Sequence, residues 1–288
     1  KVLMGTLLVL YVVTLFMTLV TVREEMVSPA FFTPVSSVIQ VDEENQTGNV
    51  YTVAVYVNKD VSLFQKLLIS LNYQVTARPY DPQTALTNTQ ETDQGRVMKE
   101  VSITNSIITA YLEAQKTNNE IAVSYAFEGM IIHTITPQLT PQELQIGDVI
   151  LAVNDQVVTK ENFATLIQAQ DANCSVSSAP FDITVRRRTQ TLTFRVNKSP
   201  YTNPQGETYC VLGIGTYAYY HIDTDETLPT YTIQESRTLG PSGGLMQTIA
   251  VYNAITATDI TNGLRIAGTG TIDVDGKVGN IGGVAQKV

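Results

Sequence analysis

Ser242 stands in the run Gly240-Pro241-Ser242-Gly243-Gly244, and the chemistry open to it depends on the base the chain can bring. A serine hydroxyl is a poor nucleophile until a base takes its proton. Both histidines, His133 and His221, precede Ser242; beyond it there is no histidine or cysteine, and the only lysines are Lys277 and Lys287. A lysine serves as a general base when it is neutral, and desolvation in apolar surroundings lowers an ammonium pKa towards that range. Lys277 follows Asp273-Val274-Asp275-Gly276, a polar turn that keeps it solvated. Lys287, 45 residues after Ser242, follows Ile281-Gly282-Gly283-Val284-Ala285-Gln286 and can open a helix packed against a strand. Lys287 is therefore the expected base.

On the serine side, Leu245, Met246, Ile249 and Tyr252 recur at helical spacing, so Ser242 is expected at or just before a helix N-terminus. Free backbone N–H groups there, with Gly240, Gly243 and Gly244 keeping the approach open, suit an oxyanion. The pentapeptide also fits G-x-S-x-G, the nucleophile elbow of α/β-hydrolases. That reading fails because no histidine follows the serine.

Gly240-Pro241-Ser242-Gly243-Gly244 resembles the G-P-S-A-G nucleophile motif of Lon-type serine proteases, with Gly243 in the place of alanine. Ala267-Gly268-Thr269-Gly270-Thr271-Ile272, then Gly276-Lys277-Val278-Gly279-Asn280-Ile281-Gly282-Gly283 and Lys287, resemble the family's T-G-E, G-x-V-x-x-I-G-G and catalytic-lysine blocks, in order and without a gap. The resemblance implies Ser242 as nucleophile, Lys287 as base, and Thr269 as a neighbour supporting the pair. Leu239 stands where the ATP-dependent enzymes carry an acidic residue, and Thr271 replaces the glutamate of T-G-E. These departures point to the ATP-independent, membrane-anchored branch that couples a PDZ domain to a Lon domain, the type that processes peptide pheromones.

Composition narrows the alternatives. The 288 residues have length for roughly two domains. With 43% hydrophobic and 16% charged residues the chain can build cores. A net charge of −9 argues against a nucleic-acid binder, and Arg186-Arg187-Arg188 reads as a solvated strand end. Cys174 and Cys210 are either one bridge or two thiols, and no Cys/His cluster offers a zinc site. Asp223-Thr224-Asp225-Glu226 and Asp273-Val274-Asp275-Gly276 do not match a calcium loop. Gly270 to Lys277 has five residues where a P-loop has four, and Val278 stands where a P-loop has Ser or Thr, so neither ATP nor another cofactor is expected.

Residues 1–25 contain Val2 to Val22, 21 uncharged residues, read as a transmembrane anchor and not a cleaved signal. Lys1 before the span favours a cytoplasmic N-terminus, leaving the bulk outside the cytoplasm in a single-pass arrangement. Residues 26–118 read as an α/β spacer. Within it Val50 to Val57 is strand-like, and Leu63, Leu67, Leu68 and Leu71, then Val97, Val101, Ile108 and Leu112, form helical stripes. Residues 119–198 resemble a PDZ domain through Gly147-Asp148-Val149-Ile150-Leu151-Ala152-Val153-Asn154-Asp155. Such a module adds an extended peptide to an open strand edge. The edge would be Gly129, Met130 and Ile131, and the facing helix would present Phe163 and Ile167. Glu128 disfavours recognition of a terminal carboxylate. Residues 199–288 complete the expectation as a Lon-type proteolytic domain whose fold would continue past Val288.

The expected fold class is thus α+β and multidomain: a transmembrane helix, a spacer, a PDZ-like β-rich domain and a Lon-type α/β domain. The expected function is ATP-independent endopeptidase action on extracytoplasmic peptides or proteins, with the PDZ-like part assisting. The alternative is a catalytically silent peptide-binding adaptor.

Overall fold

An uncharged apolar run satisfies its backbone groups best as a helix, and in the computed structural model Val2–Leu19 is helical throughout (α1). The structure describes residues 2–42, 49–72, 74–81, 84–168, 179–236 and 238–287; Lys1, Cys174 and Val288 lie outside them. The chain is mixed α+β. After α1 come β1 (Glu24–Pro34), β2 (Ile39–Val41), β3 (Asn49–Asn58), α2 (Leu63–Ile69), β4 (Thr76–Pro79) and α3 (Asn88–Gln115). Then follow β5 (Ala122–Ile135), β6 (Val149–Val153), β7 (Gln156–Val157), α4 (Phe163–Gln168), β8 (Phe181–Arg187) and β9 (Gln190–Val196). The last part carries β10 (Ser199–Thr202), β11 (Thr208–Val211), β12 (Ile214–Leu228), β13 (Tyr231–Ile233) and α5 (Gly244–Ile255). It ends with β14 (Arg265–Gly268), β15 (Thr271–Ile272), β16 (Val278–Gly279) and α6 (Val284–Lys287). Contacts gather these elements into two units, residues 1–33, 53–85 and 281–288, and residues 34–52 and 86–280.

In the first unit, α1 has a mean hydropathy of 2.4 and no buried residue, and its 18 residues are long and apolar enough to cross a membrane. Its end is tied to the start of α2, because Val22 N–H donates to Val61 O (2.8 Å) and Leu63 N–H donates to Val20 O (2.9 Å). Ser62 and Gln65 close a reciprocal cap on α2, each side chain accepting from the other's N–H. β1 pairs antiparallel with β4 from Glu24 opposite Pro79 to Val27 opposite Thr76. Glu24 binds Lys66 and Glu25 binds Arg78 beside that ladder. In α6 the buried Gln286 side chain donates to Thr76 Oγ1 (3.3 Å). Just before α6, Gly283 turns the chain at φ +66°, and a Cβ there would stand 3.3 Å from Val55.

The second unit is organised by α3, whose N-terminus carries a Thr87–Gln90 capping box. Its Ile107, Ile108, Tyr111 and Ala114 are fully buried against Val38, Ile39 and Val41 and against Val251 and Ile255 of α5. β2 is held by β13, and β14 runs parallel to residues 49–52 of β3. The largest sheet has the order β12-β5-β6-β8-β9, with β7 attached to β6. Its core is Ile132, Ile150, Ile183 and Val185, on which Phe163, Leu166 and Ile167 of α4 pack as their spacing predicts. This sheet is not closed within 119–198, because β12 pairs along nearly the whole of β5.

Candidate active site

Ser242 sits two residues ahead of α5 and is half-buried. Gly240 has φ +86°, the left-handed region where glycine alone is unstrained. The loop then turns tightly, Gly244 N–H donating to Pro241 O (3.2 Å), and Gly243 becomes the N-cap at φ −87°. The first N–H groups of α5 lack intrahelical acceptors and carry the positive end of its dipole. The N–H groups of Gly244 and Leu245 are already taken, by Pro241 O and Gly270 O, so the dipole of α5 and not these two donors is what the helix can offer a negative oxygen.

Two walls hold the loop. On one side, the main-chain oxygen of Ser242 accepts from Gly270 N–H (2.8 Å) and Thr269 Oγ1 (3.0 Å). Leu245 N–H donates back to Gly270 O (3.0 Å). Thr269, which the resemblance implies as a neighbour of Ser242, donates to the main chain of that residue. On the other side runs α3, which no sequence signal assigned to the site. Gly240 N–H donates to Gly95 O (2.9 Å), and Ser102 Oγ donates to Pro241 O (2.9 Å). Ser106 Oγ donates to Gly244 O (3.0 Å), Asn105 Nδ2 to Ile272 O (3.3 Å) and Thr109 Oγ1 to Asp273 O (3.0 Å). Ser102, Asn105, Ser106 and Thr109 fall on one helical face and are all buried. Small polar residues set among Val101, Ile103, Ile107 and Ile108 in the middle of α3 were the signal that could have found them.

Lys287 ends α6 in the first unit and is half-buried; burial pushes its ammonium below the usual value of 10.5. Lys277 is exposed in the turn where its neighbours placed it, beside Asp273, whose Oδ1 accepts from Lys277 N–H (2.9 Å). A third lysine, Lys99 of α3, donates to Ser236 O (2.8 Å), and burial lowers its pKa as well. Neither histidine adjoins this loop by any contact described here. His133 lies in β5, its ring stacked on Tyr217 at 4.0 Å and 16°, and burial lowers its pKa. His221 is exposed on β12.

The expected peptide edge is corrected by the strand pairing. Gly129, Met130 and Ile131 lie opposite Tyr219, Ala218 and Tyr217 of β12, while Met130 and Ile131 also lie opposite Ile150 and Val149 of β6. With partners on both sides β5 offers no open edge for an added strand there. Phe163 and Ile167 face the same unit's core instead of an empty groove. Gly129 is explained without a ligand: a Cβ would meet Ile150 O at 2.5 Å, so β5 and β6 approach too closely for a side chain. The physical cause is β12 itself, whose 15 residues were read as the opening of the next domain.

Cys210, on β11, is disulfide-bonded. Neither a protein-family model nor a curated protein matches this chain.

Proposed function

We propose that this chain is a membrane-anchored, ATP-independent serine endopeptidase in which Ser242 is the nucleophile and Lys287 the base. The observation that carries the reading is the placement of Ser242: a half-buried hydroxyl-bearing residue directly before a helix N-terminus, its carbonyl pinned by Thr269 and Gly270. The lowered pKa of Lys287 supports the choice of base. Ser242 Oγ attacks the scissile carbonyl while Lys287 Nζ takes its proton, and backbone N–H groups of the loop beside Ser242 hold the oxyanion. Lys287 then protonates the leaving amine and, neutral again, takes a proton from the water that attacks and releases the acyl group. Substrate is proposed to be a peptide or protein segment outside the cytoplasm, with the N-terminus of α1 inside; the Cys210 disulfide fits an oxidising compartment.

The test is peptide cleavage by the full chain in nanodiscs without ATP, across a pH series, beside Ser242→Ala, Lys287→Ala and Lys277→Ala. The rate of the parent is expected to rise with pH through a midpoint below 10.5, because the neutral amine is the active form. Ser242→Ala and Lys287→Ala are expected to lose activity by about 1,000-fold or more, and Lys277→Ala to keep it. Equal cleavage by Ser242→Ala and the parent would end the proposal.

A further inference from the structure

We infer that α2 is an interfacial helix whose leucine stripe lies on the phospholipid bilayer surface beside the point where α1 leaves it. The inference rests on α1 as a membrane span and is independent of the peptidase reading. At about 1.5 Å per residue, the 18 residues of α1 cover about 27 Å, close to an apolar bilayer core of about 30 Å. Val20, one residue past α1, therefore stands at the boundary of that core. The start of α2 is one hydrogen bond away, Leu63 N–H to Val20 O, and Val22 N–H to Val61 O fixes the same junction. The seven residues of α2 span only about 10 Å, so whichever way α2 points it stays near the headgroup layer.

The chemistry of α2 suits that position. Phe64, Leu67 and Leu68 lie on one face of α2 by their i, i+3, i+4 spacing, and Leu71 follows in the turn just past its end. Phe64 is partly buried, whereas the leucines stay open: Leu67 is 49% exposed, Leu68 50% and Leu71 78%. In water three adjacent bare leucines are a liability, whereas at the acyl boundary they are buried. Lys66 is turned to Glu24, directly after the span, so the ion pair locks α2 to the start of β1. The anchor is then a braced corner and not a free tether, holding β1 and β4 close to the membrane.

The chain has no tryptophan, so a single introduced one reports alone. The full chain carrying Leu68→Trp or Leu71→Trp is placed in nanodiscs made from phospholipid brominated high on the acyl chain. Val12→Trp in α1 serves as the inner reference and N-acetyltryptophanamide, free in the buffer with the parent chain, as the aqueous one. Leu68→Trp, Leu71→Trp and Val12→Trp are expected to lose about half or more of their emission relative to unbrominated discs, and the free tryptophan derivative to keep it. Quenching of Val12→Trp without quenching of Leu68→Trp and Leu71→Trp would overturn the inference alone. In that case an emission change on dilution of protein in lipid would identify a second copy as the occupant. An unquenched Val12→Trp would instead remove the span itself, and the inference with it.

Discussion

Gly244, the first residue of α5, is where the two walls of the site come closest. A Cβ at 244 would stand 2.7 Å from Ser102 Oγ and 3.1 Å from both Cγ2 and the backbone nitrogen of Ile272. The backbone nitrogen cannot swing away, so Gly244→Ala must push α3, α5 or β15 apart. Overpacking of this kind costs about 1–3 kcal/mol, offset by up to about 1 kcal/mol of helix propensity. A net loss of about 1–2 kcal/mol corresponds to a Tm lower by roughly 2–8 °C for a unit of this size. Gly243→Ala is the control, since its Cβ would meet only side-chain ends, Thr52 Cγ2 at 3.1 Å and Gln247 Nε2 at 3.2 Å, with φ already at −87°. It should stay within about 1 kcal/mol of the parent. The assay is thermal unfolding of the detergent-solubilised chain followed by near-ultraviolet circular dichroism, with peptide cleavage measured in parallel. Adding Ser102→Ala to Gly244→Ala should recover part of the loss, because it removes the nearest clash; the two changes would be less than additive by about 0.5 kcal/mol or more. A Gly244→Ala protein as stable as the parent, or less perturbed than Gly243→Ala, would refute this account of the loop.

Three further outcomes are expected. Tyr111→Phe deletes a buried hydrogen bond from the hydroxyl to Pro229 O (2.6 Å) and should lower stability by about 0.5–1.5 kcal/mol in urea unfolding, the ring and its edge contact with Tyr231 remaining. Asp148, 1% exposed, accepts two bonds from Arg187 (2.7 and 2.8 Å) and one from Gln145 N–H (2.9 Å), so Asp148→Ala should cost about 3–5 kcal/mol and melt the β5-β6-β8 sheet first, read by hydrogen exchange. His133 is held below 6.5 by burial, so the unfolded chain takes up its proton first, and stability should fall as pH drops from about 6.5 towards the lower folded value. His133→Phe should remove that acid-side slope in Tm measured from pH 7 to 5; an unchanged slope would assign it to other groups.

What the sequence makes legible here is local. The apolar run of α1, the stripes of α2 and α3, the turn at Asp273–Gly276 and the helix after Ser242 all follow from spacing within one element, and each stands where that spacing puts it, save that α2 ends at Ile69 and leaves Leu71 in the turn beyond. Pairings between distant segments leave no such trace. Tyr217, Ala218 and Tyr219 meet Ile131, Met130 and Gly129 across more than eighty residues, and nothing in either stretch names its partner, so an edge read as open is filled. The same holds for α3. Its Ser102, Asn105, Ser106 and Thr109 are buried among Val101, Ile103, Ile107 and Ile108, a pattern that is costly unless acceptors lie opposite, and the acceptors are carbonyls more than 130 residues away, at Pro241, Gly244, Ile272 and Asp273. A buried polar stripe therefore signals that a backbone without regular hydrogen-bonding partners packs against it. In this chain that backbone is the loop bearing Ser242 and the turn following β15, and the helix outside the motif blocks is what sets the loop's position.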